Sequence, residues 1–143
     1  GSMTIEYLPR TLVVELMTLA QQSPQREICG LISESTQGVH RLFPIDNISA
    51  TAETLFEMEP KQLIDAMREM RQTGTPLKAI YHSHPSSEAI PSQRDLLDAN
   101  YPEALYLILS LNTEGVLELR GFRLQDDQFN AVTLETTDYV DQR

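Results

Sequence analysis

The sequence holds 143 residues, of which 41% are hydrophobic, 22% charged and 6% aromatic, a length and composition that suit one domain around a single core. Eleven basic against 21 acidic side chains leave a formal net charge of −10, which disfavours a protein held to nucleic acid or anionic lipid by its overall field and points to proteins or small molecules as partners. Cys29 has no second cysteine to pair with, the apolar runs are too short to span a bilayer, and the N-terminus lacks a signal-peptide pattern, so a reducing cytoplasm is the default setting.

Gly1 and Ser2 read as a cloning remnant, the domain is expected over 3–137, and the acidic stretch 138–143 is expected to fray. Apolar residues recur at three- and four-residue steps from Pro9 to about Gln21, which predicts an amphipathic helix. The runs Glu27–Ile32 and Gly38–Phe43 predict a hairpin, and Thr54–Met58 predicts a further strand. Pro60 opens a second helix carrying Leu63, Ile64, Met67 and Met70, and Gly74 closes it. Leu77–His84 is a strand stopped by Pro85, which cannot donate to a sheet ladder. Ser92-Gln-Arg-Asp95 resembles a helix start closed by a capping box. Leu105–Leu111 and Val116–Leu124 are strands around the turn Asn112–Gly115, and a last strand runs over Phe129–Leu134. Strands and helices in this alternation make an α/β domain, a mixed and curved sheet flanked by helices.

The chemistry-bearing residues gather at the end of the Leu77–His84 strand. His82 and His84 are two apart, which in a strand puts both side chains on one face roughly 7 Å apart along the backbone, so two imidazoles converge on one metal ion. Asp95, in the first turn of the next helix, sits where the positive end of the helix dipole favours a carboxylate, and it supplies a third ligand. Two histidines and one carboxylate leave a fourth tetrahedral position open, the arrangement of catalytic rather than structural zinc. Glu27 opens an otherwise apolar run, where packing gives no reason for a carboxylate and burial would raise its pKa, which makes it the candidate general base and acid. Ser92, three residues before Asp95, is placed to aim its hydroxyl at a developing oxyanion, a role worth roughly 3 kcal/mol.

Written out, these residues are Glu27 in Glu-Ile-Cys-Gly-Leu, then His82-Ser83-His84-Pro85, then Ser92-Gln93-Arg94-Asp95, with seven residues between His84 and Ser92. The pattern resembles the JAMM (MPN-plus) metalloprotease family, whose motif is a distant glutamate followed by H-x-H-x7-S-x2-D, and every specified position is met. The resemblance implies a JAMM/MPN fold of the cytidine-deaminase-like kind and a single catalytic Zn2+ ion. Its ligands would be His82, His84 and Asp95, with Glu27 as general acid/base and Ser92 as stabiliser of the intermediate. It implies hydrolysis of a peptide or isopeptide bond after the Gly-Gly tail of a ubiquitin-like protein. The short connections leave little room for the insertions of the larger deubiquitinating members. The small prokaryotic form, acting on a ubiquitin-like sulfur-carrier protein, is therefore the expected type.

Plainer readings compete at several positions. Ser92 to Asp95 taken alone is a helix cap. Cys29 reads as a small buried hydrophobe ahead of a thiolate ligand, His40 as surface or strand packing, and Met58, Met67 and Met70 as core filler. Ser83, Ser86, Ser87 and Glu88 read as solvated loop. A non-catalytic MPN scaffold that binds a ubiquitin-like protein or a subunit is the alternative function. A nucleobase deaminase needs a cysteine pair that a single cysteine does not supply.

Overall fold

The computed structural model describes residues 4–113 and 116–137; the expected remnant at 1–2 and the tail 138–143 lie outside the described residues, as does the tip of the 112–115 turn. In chain order the elements are β1 (Ile5–Pro9), α1 (Arg10–Gln21), β2 (Cys29–Glu34), β3 (His40–Ile45), α2 (Pro60–Thr73), β4 (Leu77–His84), α3 (Gln93–Leu97), β5 (Leu105–Thr113), β6 (Val116–Gln125) and β7 (Gln128–Thr137). The strands form one mixed sheet in the order β1-β7-β6-β5-β4-β2-β3, with β4 parallel to β5 and β1 parallel to β7. The α/β expectation holds.

Helices cover both faces, so the central strands bury both of their side-chain rows. On one face Leu8, Leu12, Leu16 and Ala20 pack onto Tyr81, Leu105, Leu107 and Leu109. On the other, Ala66 and Met70 of α2 meet Ile80, Tyr106 and Ile108. The alternation along β4 and β5 thus decides which layer each residue serves, and it sends His82 to the α2 side with Ile80.

Three expectations change. Residues Thr54–Met58 are turn and coil with one isolated bridge from Met58 to Asn47, because the segment crosses the surface instead of joining the sheet. The strand after α1 begins at Cys29, so Glu27 lies two residues upstream of it. Ile64, part of the apolar pattern of α2, is exposed, while Met70 is buried as expected and Ala66 is buried beside it. Two features had no strong sequence signal. The first is β1, a short edge strand that pairs with the C-terminal β7 from Ile5↔Thr133 to Pro9↔Thr137. The second is the two-residue turn Asp126-Asp127, whose φ angles of 51° and 62° match the left-handed pair that a tight hairpin requires.

Elsewhere the chemistry of the termini is as expected. Gly74 ends α2 at φ 69°, and Ser92 caps α3 in a full capping box. Among the described residues no helix is long and apolar enough to cross a membrane.

Candidate metal centre

β4 carries the histidines to its C-terminal end, between β2 on one side and β5 on the other, and Pro85 stops the ladder there. Both imidazoles are buried, at 3% exposure for His82 and 4% for His84. Their Nε2 atoms lie 3.1 Å apart. Asp95, held at the first turn of α3, brings Oδ2 to 3.2 Å from Nε2 of His82 and 3.3 Å from that of His84. Ligands bound at about 2.0–2.1 Å on a tetrahedral ion are separated by about 3.3 Å. Three atoms from two elements therefore sit at three corners of a tetrahedron sized for a divalent ion.

The same contacts set the protonation of the three side chains, lowering the pKa of His82 and raising that of His84. Nδ1 of His84 donates to the main-chain carbonyl of Glu88 at 2.8 Å, and a carbonyl can only accept. The neutral ring therefore keeps its lone pair at Nε2, facing the other two ligand atoms. Burial pushes the pKa of His82 down against the pull of Asp95, which favours the neutral, ligating form. For His84, burial also pulls downward but is outweighed by its bonds to Asp95 and to the Glu88 carbonyl. Burial would raise Asp95, yet its bonds to both imidazoles and to the Ser92 amide, at 2.8 Å, hold it well below the usual carboxylate range. The ring of His82 stacks on Phe56 at 4.6 Å, which fixes its plane.

Glu27 reaches the same centre from outside the sheet. Its ligand-type oxygen falls within 4.8 Å of those of both histidines. Oε1 is buried without a hydrogen-bond partner among the described residues, and the residue is 4% exposed. Burial pushes its pKa up to about 8, with His84 lowering and Asp95 raising it further. A buried carboxylate with one oxygen unsatisfied beside three converging ligand atoms is an expensive arrangement unless a cation or a water proton belongs there. The donor set therefore fits a divalent metal.

The main chain at Glu27 is clamped on three sides. Its amide donates to the Ala52 carbonyl at 2.7 Å, and the Asn47 side-chain amide donates to its carbonyl at 3.0 Å. The next amide, of Ile28, donates to Ser83 Oγ at 2.8 Å, while the Ser83 amide returns a bond to the Ile28 carbonyl. Ser83 is thus a fully buried strand residue and not the solvated loop residue expected. Period-two alternation across the histidine pair held the signal, because a polar residue between two inward ligands must face the opposite layer. Asn47 and Phe56 were not legible at all; each acts through contacts made only in the folded chain.

Ser92 sits at the rim. Its Oγ accepts from the Asp95 amide at 3.0 Å, so it is a cap whose own O–H remains available to donate. Cys29 lies across from His82 in the β2–β4 ladder, but its thiol bonds to the Ile45 carbonyl and burial pushes it up to about 12, which leaves it an inert core residue. His40 is in β3 beside Glu34, at 3.4 Å, away from the centre.

A cleft of about 380 Å³ opens on the His82 and Asp95 side, walled by Leu55, Phe56, Met58, Leu63, Tyr106 and Phe129. A second cavity of about 320 Å³ opens on the Glu27 and His84 side.

Residues 9–124 match the family of prokaryotic homologs of the JAB domain. The chain is 33% identical to a probable TtuB-protein conjugate cleaving protease of Thermus thermophilus, over 85% of this chain and 78% of that one. It is 28% identical to a CysO-cysteine peptidase of Mycobacterium tuberculosis over 99% of this chain and 96% of that one. A Haloferax volcanii desampylase is 29% identical over 64% of this chain and 67% of its own. Among solved structures, a Desulfitobacterium hafniense protein superimposes with a TM-score of 0.80 at 28% identity, covering 96% of this chain and 95% of that one. A JAB1/MPN domain protein from Archaeoglobus fulgidus shares the fold at a TM-score of 0.61 and 19% identity, covering 94% of this chain and 98% of that one.

Proposed function

The chain belongs to the family of prokaryotic homologs of the JAB domain, and on that premise we propose that it is a zinc-dependent peptidase. Its substrate would be a ubiquitin-like protein of the sulfur-carrier kind, cut at the peptide or isopeptide bond after a Gly-Gly tail. The observation that carries this reading is the triangle of His82 Nε2, His84 Nε2 and Asp95 Oδ2, with edges of 3.1–3.3 Å, faced by Glu27, whose Oε1 has no partner among the described residues. A Thermus conjugate-cleaving protease, a mycobacterial CysO-cysteine peptidase and a Haloferax desampylase among the relatives support the substrate class. A scaffold without catalysis would have no use for a buried carboxylate beside three ligand atoms. With one free cysteine, the working compartment we assign is the cytoplasm.

His82, His84 and Asp95 would hold the ion, which when bound supplies acidified water and polarises the scissile carbonyl. Glu27 accepts the proton that water loses as it attacks, and the raised affinity of its buried carboxyl for that proton suits transfer near neutral pH. It then delivers the proton to the departing nitrogen. Ser92 Oγ–H donates to the carbonyl oxygen as charge builds on it, while its lone pair stays on the Asp95 amide. Phe56 and the Glu88 carbonyl hold the two imidazole planes, so no ligand reorients during the cycle. The acyl tail lies extended, and its larger side chains enter the apolar cleft beside His82.

The test is incubation of zinc-loaded protein with ubiquitin-like sulfur-carrier proteins bearing C-terminal extensions or lysine conjugates, read by intact mass. Release of a carrier ending in Gly-Gly is expected. Failure to cut any of them with zinc bound at the site would overturn the reading.

A further inference from the structure

The cavity on the Glu27 side differs in kind from the apolar cleft. Its wall includes Glu27, Glu53 and Glu88 together with His84, Ser86 and Ser92, and no lysine or arginine lines it among the described residues. Glu53 and Glu88 are exposed at the mouth, whereas Glu27 is 4% exposed and its Oε1 meets no donor. An unsatisfied oxygen at the inner wall of an open cavity marks where a ligand N–H arrives. Glu27 lines this cavity and not the apolar cleft, so the two sides of the scissile bond can be told apart.

We propose that this cavity receives the leaving group, and that Glu53 and Glu88 make it accept amines with no carboxylate next to the scissile nitrogen while rejecting free amino acids. The proposal rests on the peptidase reading above, in which Glu27 hands its proton to the departing nitrogen. Hydrolysis breaks the C–N bond and adds the oxygen of water to the glycyl carbonyl. One proton passes through Glu27 to the nitrogen, and the new carboxylic acid gives up the other, leaving a carboxylate and an ammonium. A lysine side chain presents the scissile nitrogen on an uncharged stem, and the ammonium it becomes is attracted to the two rim carboxylates. A free amino acid instead carries its α-carboxylate two bonds from that nitrogen, into a cavity lined by three acidic side chains, where the basic side chain present, His84, is committed to the ion. Isopeptide conjugates are therefore the favoured substrates, ahead of a tail capped by a single amino acid.

Two short peptides ending in Gly-Gly-Ala, one with a free C-terminal carboxylate and one with a C-terminal amide, differ only in the charge at issue. The zinc-loaded enzyme is expected to favour the amide by roughly tenfold in kcat/KM at low salt. The preference should shrink in 1 M salt, because the rim charges are open to screening. In Glu53→Gln/Glu88→Gln it should fall to near unity, and in Glu53→Lys/Glu88→Lys it should invert. Equal rates on the two peptides, or a preference that both double variants leave intact, would overturn the proposal. Calorimetric binding of the same peptides to zinc-loaded Glu27→Gln gives a readout without turnover. A tighter fit of the amide supports the cavity assignment even if no peptide is cut, in which case the peptidase reading alone has failed. Equal affinities overturn the assignment.

Discussion

The imidazole of His84 gives its Nδ1 proton to the carbonyl of Glu88, four residues along the chain, and so turns a bare lone pair toward Nε2 of His82 at 3.1 Å. With the Asp95 carboxylate 3.2 Å from His82 and 3.3 Å from His84, the cluster needs a positive charge among its three atoms, and a metal ion supplies it, so ion binding and folding are coupled. Zinc at a hundred times its dissociation constant should add about 2.7 kcal/mol of stability, a rise of several degrees in Tm by scanning calorimetry. Chelation should abolish cleavage and zinc should restore it. Activity that survives full chelation would exclude the mechanism.

Asp95→Asn keeps an oxygen to accept from the Ser92 amide but loses the charge that faces the imidazoles. Zinc affinity should fall at least tenfold. The Tm of the metal-free protein should move by only a few degrees. Calorimetry with and without zinc separates the two, and a large loss of stability at unchanged affinity would make Asp95 a structural residue.

Glu27 has its proton affinity raised from 4.5 to about 8 by burial. Between those values the folded chain holds a proton that the unfolded chain releases, so this residue's contribution to stability is complete below pH 4.5, falls as pH rises, and levels off above about 8. The difference in unfolding free energy between metal-free wild type and Glu27→Gln should therefore grow in favour of the variant from pH 5 to pH 8, by a few kcal/mol. Urea titrations at the two pH values measure it. The same substitution should lower turnover by about 10²–10⁴ with zinc still bound; wild-type turnover would remove Glu27 from proton transfer.

Ser92 is a cap and a candidate donor at once, and two substitutions divide these roles. Ser92→Ala should cost about 1 kcal/mol of stability and also reduce kcat about a hundredfold. Ser92→Asp should recover the cap, since a carboxylate accepts from the Asp95 amide, yet it should not recover kcat because it has no proton to donate. Full activity in the aspartate variant would leave Ser92 with the cap alone.

Tyr81 points its hydroxyl into the core against Gly30, with no hydrogen-bond partner among the described residues. Tyr81→Phe should raise stability by about 1 kcal/mol, since it deletes an unsatisfied polar group without opening a void. A side chain at Gly30 would collide with that hydroxyl and with the Phe43 carbonyl. Gly30→Ala should therefore cost at least 2 kcal/mol. Thermal melts of the two variants should move in opposite directions.

Much of this molecule is legible in its sequence. Leu77–His84 alternates and ends at a proline, Ser92 and Asp95 have cap spacing, and Pro60 and Gly74 bracket α2; each is a local signal carried by neighbouring residues. Thr54–Met58 has a composition that suits a strand, but strand formation depends on a continuous partner edge, and the segment makes only an isolated bridge from Met58 to Asn47. β1 escaped notice for the opposite reason. Its five residues become a strand only because β7, at the far end of the chain, lies beside them.

The divide between what residues spell and what packing decides runs through the centre itself. Spacing alone determined that two imidazoles share a face and that a carboxylate opens the next helix, because those are properties of backbone period. Folding decided how near they come, which nitrogen of the His84 ring keeps its lone pair, and that Glu27 is buried with its Oε1 unsatisfied among the described residues. Ser83, Asn47 and Ala52 impose those facts across long stretches of chain and Glu88 from the adjoining loop, and burial by both sheet faces sets the electrostatics that no linear pattern encodes.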